Sequence, residues 1–268
     1  SADPSAPRPW VGLAPERLDP ALAVLADAVA RAPVAAAVAA QVLRTSLLVS
    51  FDEALVQESI AYSMLLGSAE FRAWRAANPA RARPADSAAR VRTYEAGGAL
   101  HIRLDRPQRR NAFDAAMRDA LCEALAFALD HPDAPRVALS GEGPAFSAGG
   151  DLDEFGAAPD PGLAHLVRAL RAPARLVRAL GDRACADLHG ACIGAGIEVP
   201  AAAAWVTARP GTVFRLPEVA MGLIPGAGGA AAIPRRIGRR RAAWMALSGA
   251  EVDLSTALAW GLVDEIAA

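Results

Sequence analysis

The sequence predicts an α/β fold preceded by an all-helical segment, and three observations carry this prediction. Short strand-like runs alternate with helix-like runs from residue 91 onward, as in sheets built from βα units. Glycine-rich turns follow several of these runs. The alanine-rich stretch before them shows only helical patterns. We therefore expect a helical segment over 12–78, a linker over 79–90 and an α/β core over 91–268.

The residues before the core change character twice. Residues 1–11 are rich in proline and alanine, and we expect a disordered tail there. Pro33 marks a break between two helices, and Ser50 followed by Glu53 is the pattern of a capping box that begins another helix. Residues 79–90 hold two prolines and no large apolar side chain, which is typical of a linker.

Within the core, the periodicity of apolar residues predicts individual elements. Leucines spaced by four residues, for example, indicate one amphipathic helix. The expected strands are 99–104, 136–140 and 184–188, and the expected helices are 115–129 and 163–180.

Composition excludes several classes of protein. The net charge of −1 does not favour a nucleic-acid partner. The three cysteines, Cys122, Cys185 and Cys192, form no CxxC pair, which indicates free thiols in a reducing compartment. The four histidines show no metal-ligand spacing, and no signal-peptide or membrane-span pattern is present. We expect a cytoplasmic protein without metal, nucleic acid or membrane contact.

Two glycine-rich turns are candidates for ligand binding. They are 146–151 (FSAGGD) and 189–198 (HGACIGAGIE), and each comes after a predicted strand. Small residues let a ligand approach the backbone, and two N–H groups aimed at one oxygen would form an oxyanion hole. An ordinary tight turn is the alternative for each segment taken alone.

Two glutamates accompany these turns. Glu198 lies in the first turn after the second glycine cluster, and Glu218 precedes a further glycine-rich run. Paired carboxylates beside an oxyanion hole can divide general acid and general base work. Taken singly, a glutamate in such a position is more often a solvated surface residue.

Four motifs, in order and spacing, resemble the crotonase (enoyl-CoA hydratase/isomerase) superfamily. They are 106–112, 145–151, 190–196 and 216–229, and the segment 257–264 resembles the next stretch of that family's chains. The likeness covers 91–268. It implies a crotonase-like ββα spiral core that binds an acyl-CoA thioester, with the oxyanion-hole N–H groups on Gly150 and Ala195.

The same resemblance gives the glutamates their expected roles. Glu198 and Glu218 fall on the two positions with which hydratases hold a water. The implied reaction adds water across the 2,3-double bond of an enoyl-CoA, with Glu198 as base and Glu218 as acid. Isomerases rely on the Glu218 position alone, so two carboxylates favour a hydratase. Isomerisation, dehydration, C–C cleavage and a non-catalytic acyl-CoA-binding scaffold are the alternatives.

Two positions depart from the family pattern. Ala195 stands where glycine is usual, but it keeps the N–H that an oxyanion hole needs. Pro200 lies two residues after Glu198, where proline removes a helix hydrogen bond and clashes with the carbonyl of Gly196. Such a clash would displace Glu198.

Substrate-binding candidates are suggested by the chemistry of the thioester. Coenzyme A carries phosphates, for which guanidinium groups are suited. Solvated loop arginines and ordinary core residues are the alternatives. Because coenzyme A is part of the substrate, no separate cofactor is expected. The candidates are Arg109 and Arg110 for the phosphates, and Leu152, Phe155, Met221 and Leu223 for the acyl group.

The order of the segments suggests a circular permutation. In the family, the helices that cover the core and build trimers come after the core, whereas here 12–78 resembles them and precedes it. We expect 12–78 to pack near the acyl site, and we expect a homotrimer or a dimer of trimers. An unrelated helical extension is the alternative. The side chains expected near substrate or a neighbouring subunit are Tyr62, Met64 and Trp74.

Overall fold

The computed structural model describes residues 3, 5–82, 87–133 and 136–267. Part of the predicted linker, residues 83–86, therefore lies outside the described residues, as do residues 1, 2 and 4 of the predicted tail. The helices are α1 (Pro15–Arg31), α2 (Pro33–Thr45), α3 (Phe51–Leu66), α4 (Ala69–Ala77), α5 (Ala115–Asp130), α6 (Pro161–Leu170), α7 (Pro173–Ala179), α8 (Ala195–Glu198), α9 (Gly229–Ile237), α10 (Arg239–Ser248) and α11 (Leu254–Trp260).

The strands of the described residues are β1 (Val91–Ala96), β2 (Ala99–Leu104), β3 (Val137–Gly141), β4 (Ala184–Leu188), β5 (Ala191–Ile193), β6 (Trp205–Ala208), β7 (Val213–Arg215), β8 (Val252–Asp253) and β9 (Glu265–Ile266). They form two sheets: six strands pair in the order β1-β2-β3-β4-β6-β9, and three pair in the order β5-β7-β8. Among these pairs, β1–β2 and β7–β8 are antiparallel and the others are parallel. The predicted α/β core with a preceding helical segment is confirmed.

Local signals in the sequence place most helix starts. Ser50 Oγ accepts a hydrogen bond from the Glu53 N–H at 3.2 Å, and the Glu53 carboxylate accepts one from the Ser50 N–H at 2.9 Å, so the predicted capping box begins α3. Pro33 begins α2 as expected. The single helix predicted over 163–180 is wrong: α6 and α7 are separate because Pro173 cannot continue the preceding helix.

The helical segment and the α/β core share one hydrophobic core. Leu55 and Leu65 of α3 are buried in the same cluster as Ile233 of α9 and Leu223. Helix α3 packs against α6 and α9, α2 against α10, and α4 against the 3₁₀ turn at Glu218–Met221. The boundary predicted over 79–90 is therefore not marked by separate cores, although the domain limits themselves stay a prediction.

The described part of the 1–11 segment contacts the core, in contrast to the expected disordered tail. Arg8 donates to the Trp260 carbonyl at 2.9 Å, and the Trp10 carbonyl accepts from Arg241 at 3.0 Å. Backbone carbonyls thus supply partners for guanidinium groups at this surface. Within the described residues, no single helix is long and apolar enough to cross a membrane. Taken together, α1 and α2 reach the required length and apolar composition, but they are sharply bent at the break between them.

Candidate active site

A buried ion network fixes the first glycine-rich turn to its neighbours. Arg106 Nη1 lies 2.9 Å from Asp151 Oδ2, and Arg106 Nη2 lies 3.2 Å from Asp114 Oδ2. The Asp151 N–H donates to the Phe113 carbonyl at 2.8 Å. Because the buried charges are paired, this network can hold the backbone at 149–151 in one position.

The two predicted oxyanion donors remain available. The Ser147 hydroxyl organises the first turn by accepting from the Gly149 N–H at 3.1 Å. Gly194, with φ of +49°, turns the chain into the short helix α8, which begins at Ala195. Neither the Gly150 N–H nor the Ala195 N–H donates a hydrogen bond among the described residues, and both residues line the same cavity.

Pro200 does not displace Glu198, contrary to the clash that the sequence suggested. Helix α8 ends at Glu198, and Pro200 instead begins a 3₁₀ turn over Pro200–Ala202. Proline is favoured at the first position of a helical turn because its missing N–H needs no partner there. Glu198 is 2% exposed, and its Oε2 accepts from the N–H groups of Ala227 at 2.7 Å and Gly229 at 2.9 Å.

Glu218 faces Glu198 across Gly194. A Cβ placed on Gly194 would overlap Oε1 of Glu218 and would lie 3.7 Å from Oε1 of Glu198. Glycine is thus required there both for its positive φ and for space. Oε2 of Glu218 is buried and accepts no hydrogen bond among the described residues. An acceptor left without a partner in a buried site is available to a ligand.

Burial changes the acidity of both glutamates. Desolvation raises the pKa of Glu198 to about 7, although the backbone hydrogen bonds of Ala227 and Gly229 act in the opposite direction. Desolvation, together with weaker repulsion from Glu198, raises the pKa of Glu218 well above its usual value. Strongly shifted carboxyl groups that share a cavity are typical of sites for proton transfer.

A third carboxylate, Glu58 of α3, lies beside this pair and was not singled out from the sequence. Glu58 is 2% exposed and accepts hydrogen bonds from the N–H groups of Gly228 at 2.7 Å and Ala230 at 2.6 Å. Burial, together with weaker repulsion from Glu198, raises its pKa well above the usual value. No group of three or more His, Cys, Asp or Glu side chains in the described part of the chain is arranged to hold a metal ion.

These groups line one cavity of about 570 Å³, a size typical of small-molecule sites. Helix α3 forms one wall, α6 another, and the turn 150–158 a third. The lining includes Gly150, Ala195, Glu198, Glu218, Glu58, Tyr62, Phe155 and Arg168. The structure therefore brings together the predicted oxyanion donors, both predicted glutamates and one predicted acyl contact.

The remaining predicted substrate contacts lie outside this cavity. Leu223 is fully buried in the hydrophobic core, so its expected place in the acyl pocket is wrong. Leu152 is 42% exposed, and Met221 belongs to the 3₁₀ turn at Glu218–Met221; neither lines the cavity.

Neither of the two predicted phosphate ligands belongs to the residues that line the cavity. Arg109 Nη2 lies 3.8 Å from Asp153 Oδ2, so an acidic side chain already faces its guanidinium. Arg110 has an exposed side chain and a φ of +49°, and its carbonyl accepts from the Ala148 N–H at 2.8 Å. A role of either arginine in binding coenzyme A stays a prediction.

The helical segment contributes to the site as expected of 12–78. Tyr62 lines the cavity, and its ring lies where a Cβ on Gly226 would be. Trp74 packs between Phe71 and Phe155, with ring centroids 5.8 Å and 6.5 Å away. Met64 does not line the cavity and is 57% exposed.

Comparison with known proteins agrees with this geometry. Residues 95–268 match the family model described as enoyl-CoA hydratase/isomerase. An enoyl-CoA isomerase/hydratase, fer4, of Mycosarcoma maydis is 32% identical over 183 residues, which are 65% of this chain and 66% of that protein. A cyclohexa-1,5-dienecarbonyl-CoA hydratase of Thauera aromatica is 35% identical over 174 residues, 64% of each chain.

Solved structures show the same fold. A crystal structure of an enoyl-CoA hydratase from Thermoplasma volcanium superposes with a TM-score of 0.62 and 32% identity, covering 67% of this chain and 72% of that one. The matches to the two curated relatives span less than two thirds of those proteins' own lengths. The resemblance inferred from four sequence motifs is thus confirmed, and the chain belongs to the enoyl-CoA hydratase/isomerase family.

Proposed function

We propose that this protein is an enoyl-CoA hydratase, which adds water across the 2,3-double bond of an enoyl-CoA thioester. One observation carries the proposal: two buried glutamates face each other across Gly194, in a cavity lined also by Gly150 and Ala195, whose N–H groups have no acceptor among the described residues. The family to which the chain belongs supports the same reaction class.

The N–H groups of Gly150 and Ala195 would bind the thioester oxygen. As water attacks C3, negative charge grows on that oxygen. Preorganised donors therefore stabilise the transition state more strongly than they stabilise the ground state. Loss of one such donor raises the barrier by about 3 kcal/mol in comparable sites. The donors need no reorganisation because the buried Arg106–Asp151 pair and Gly194 already set the two turns.

The two glutamates divide the proton transfers. Glu198, with a pKa of about 7, is partly ionised near neutral pH and would take the proton of the attacking water. Glu218, whose pKa is raised well above its usual value, would hold the proton that is delivered to C2. The two carboxyl groups are close enough to titrate as a pair.

A one-base isomerase is the second candidate. Oε2 of Glu218 accepts no hydrogen bond among the described residues, whereas Oε2 of Glu198 is held by two N–H groups. In an isomerase, Glu218 alone would carry the proton from one carbon to another and so move the double bond. Glu198 would then only hold the backbone at Ala227 and Gly229. Dehydration and C–C cleavage use the same oxyanion stabilisation.

The assembly and setting are also proposals. We propose a homotrimer or dimer of trimers, a cytoplasmic location and no cofactor beyond the coenzyme A of the substrate. A circular permutation is supported by the packing of α3 and α4 against the active-site turns. Arg8 also contacts Trp260 directly, so the two segments that a permutation would have joined lie side by side.

Turnover of crotonyl-CoA and of a longer enoyl-CoA tests the reaction. We expect loss of the conjugated double-bond absorbance and formation of the 3-hydroxyacyl-CoA. Calorimetry should show tighter binding of an acyl-CoA than of free coenzyme A or the free acid. No acyl-CoA binding at millimolar concentration would refute the proposal, and a shifted double bond without hydration would support the isomerase.

A further inference from the structure

Arg168 of α6 is a charged group in the cavity for which the proposed hydration has no use. Its side chain is half-buried and lines the same cavity as Glu198 and Glu218. Nε donates to the Ser59 hydroxyl at 3.3 Å, and Nη2 donates to the Ser63 hydroxyl. Its guanidinium carbon lies 4.8 Å from the centroid of the Tyr62 ring. These neutral contacts orient the guanidinium without neutralising it.

Arg168 differs in this respect from the other arginines that line the cavity. Arg118 pairs with Asp119 at 2.9 Å, and Arg171 lies 3.9 Å from Glu123. No carboxylate of the described residues lies within 4.0 Å of a nitrogen of Arg168, and its Nη1 donates no hydrogen bond there. A partly desolvated charge without a counter-ion is unfavourable, so such a position is suited to an anionic ligand.

Glu58 does not fill this role. It is near enough to interact electrostatically with Arg168, but both of its oxygens accept backbone N–H groups of the α9 start. Burial also raises the pKa of Glu58 well above its usual value, which favours its uncharged form. Desolvation lowers the pKa of Arg168, in agreement with a guanidinium that has lost water without gaining a full counter-charge.

Arg168 and the two glutamates line the same cavity. The Tyr62 ring lies against the guanidinium and also against Gly226, and the next residue, Ala227, donates to Glu198. An anion bound by Arg168 would thus lie in the cavity that holds the reacting glutamates. A thioester bound there could present a terminal anion of its acyl group to Arg168.

We propose that the site takes a short acyl-CoA whose acyl group ends in a carboxylate, and that Arg168 binds this carboxylate. The inference rests on the proposed function, because it names the acyl group of the same thioester. A guanidinium presents N–H groups that match the two oxygens of a carboxylate. The phosphates of coenzyme A are the other anions that a thioester would bring, and they are distinguished by the test.

The test is calorimetric binding of two saturated thioesters of equal length, glutaryl-CoA and pentanoyl-CoA, to the intact protein. They differ only in a terminal carboxylate. We expect glutaryl-CoA to bind more tightly by on the order of tenfold or more, as for a hydrogen-bonded charge. Arg168→Gln should abolish that preference, and Arg168→Lys should keep part of it. Arg178→Gln, which removes an exposed charge from the neighbouring helix α7, should keep all of it.

Three outcomes would overturn the inference in different ways. Equal binding of both thioesters by the unaltered protein would refute it and leave the hydratase proposal intact. If Arg168→Gln weakens glutaryl-CoA, pentanoyl-CoA and free coenzyme A alike, then Arg168 binds a phosphate of coenzyme A, and unchanged binding of dephospho-coenzyme A would identify it as the 3′-phosphate. If neither thioester binds better than free coenzyme A, the proposed function itself fails and the inference falls with it.

Discussion

Glu58 and Glu198 accept hydrogen bonds from alternate N–H groups of one backbone segment. Glu198 is held by Ala227 and Gly229, while Glu58 is held by Gly228 and Ala230. This segment leads into α9, whose first N–H groups have no acceptor within the helix and are satisfied by these side-chain oxygens. A carboxylate from the helical segment and one from the core thus fix the same turn, so the helical segment takes part in building the active site.

We predict that Glu58→Gln impairs both stability and proton transfer. An amide offers only one acceptor oxygen, so one N–H of the α9 start loses its partner at a cost of about 1–3 kcal/mol. Glu58 raises the pKa of Glu218 once Glu58 is itself ionised at alkaline pH, so its loss should move the alkaline limb of kcat/KM to lower pH. Thermal unfolding and a pH–rate profile measure the two effects. If Glu58→Gln lowers the melting temperature but leaves the pH dependence of kcat/KM unchanged, Glu58 has a structural role only.

The pKa of Glu198 predicts how stability depends on pH. The folded protein binds this proton more tightly than the unfolded chain, because burial raises the pKa from 4.5 to about 7. The resulting stabilisation is complete below pH 4.5 and is lost as the pH rises through 7. Glutamine binds no proton, so Glu198→Gln does not lose this stabilisation. Between pH 4.5 and pH 7, its free energy of unfolding should therefore rise by up to about 3 kcal/mol relative to that of the unaltered protein.

Urea unfolding at several pH values measures this difference. Glu123→Gln is the control, because that side chain is 72% exposed. Parallel stability curves for the unaltered protein and Glu198→Gln would contradict a buried, proton-binding Glu198.

Gly194→Ala should displace Glu218. The added Cβ would overlap Oε1 of that glutamate, and we expect kcat to fall on the order of 10²-fold, as for loss of a general acid. Gly211→Ala is the matched control: its φ of +83° imposes similar backbone strain, but no atom lies within 4 Å of the new Cβ. Equal activities of the two variants in steady-state kinetics would mean that Glu218 need not occupy its present position.

Circular permutation predicts that the order of the segments can be reversed. A chain in which residues 87–267 are followed by residues 5–82 should fold, because Arg8 and Trp260 are in contact and a short joining peptide costs little entropy. We expect the same binding of acyl-CoA and a melting temperature within about 4 °C. Calorimetry and circular dichroism measure both properties. A chain that stays unfolded would argue for the original order.

Local patterns in the sequence predict local structure well. Ser50 and Glu53 form the expected capping box, and the two glycine-rich turns, which follow β3 and β4 in the chain, both reach the cavity. The rule against proline in helices misjudged Pro200, since the helix before it is only one turn long. Helix length depends on packing, which local patterns do not contain.

The groups that sequence reasoning missed meet across long separations in the chain. Glu58 reaches residues 170 and 172 positions away, and Arg168 reaches Ser59, 109 positions away. Each looks like a polar residue on an amphipathic helix. The capping pattern at Ser50 did place α3, but only the packing of α3 against α6 and α9 shows which of its polar side chains face the cavity.

Hydration of crotonyl-CoA by the unaltered protein, Glu198→Gln, Glu218→Gln and the exposed control Glu123→Gln tests the central proposal most directly. We predict turnover by the unaltered protein and by the control, and a kcat lowered by about 10²-fold or more in each of the other two variants. Circular dichroism should show that both keep the fold. Full hydratase activity in Glu198→Gln, together with loss of all turnover in Glu218→Gln, would contradict the two-carboxylate mechanism and leave Glu218 as the single acid–base group.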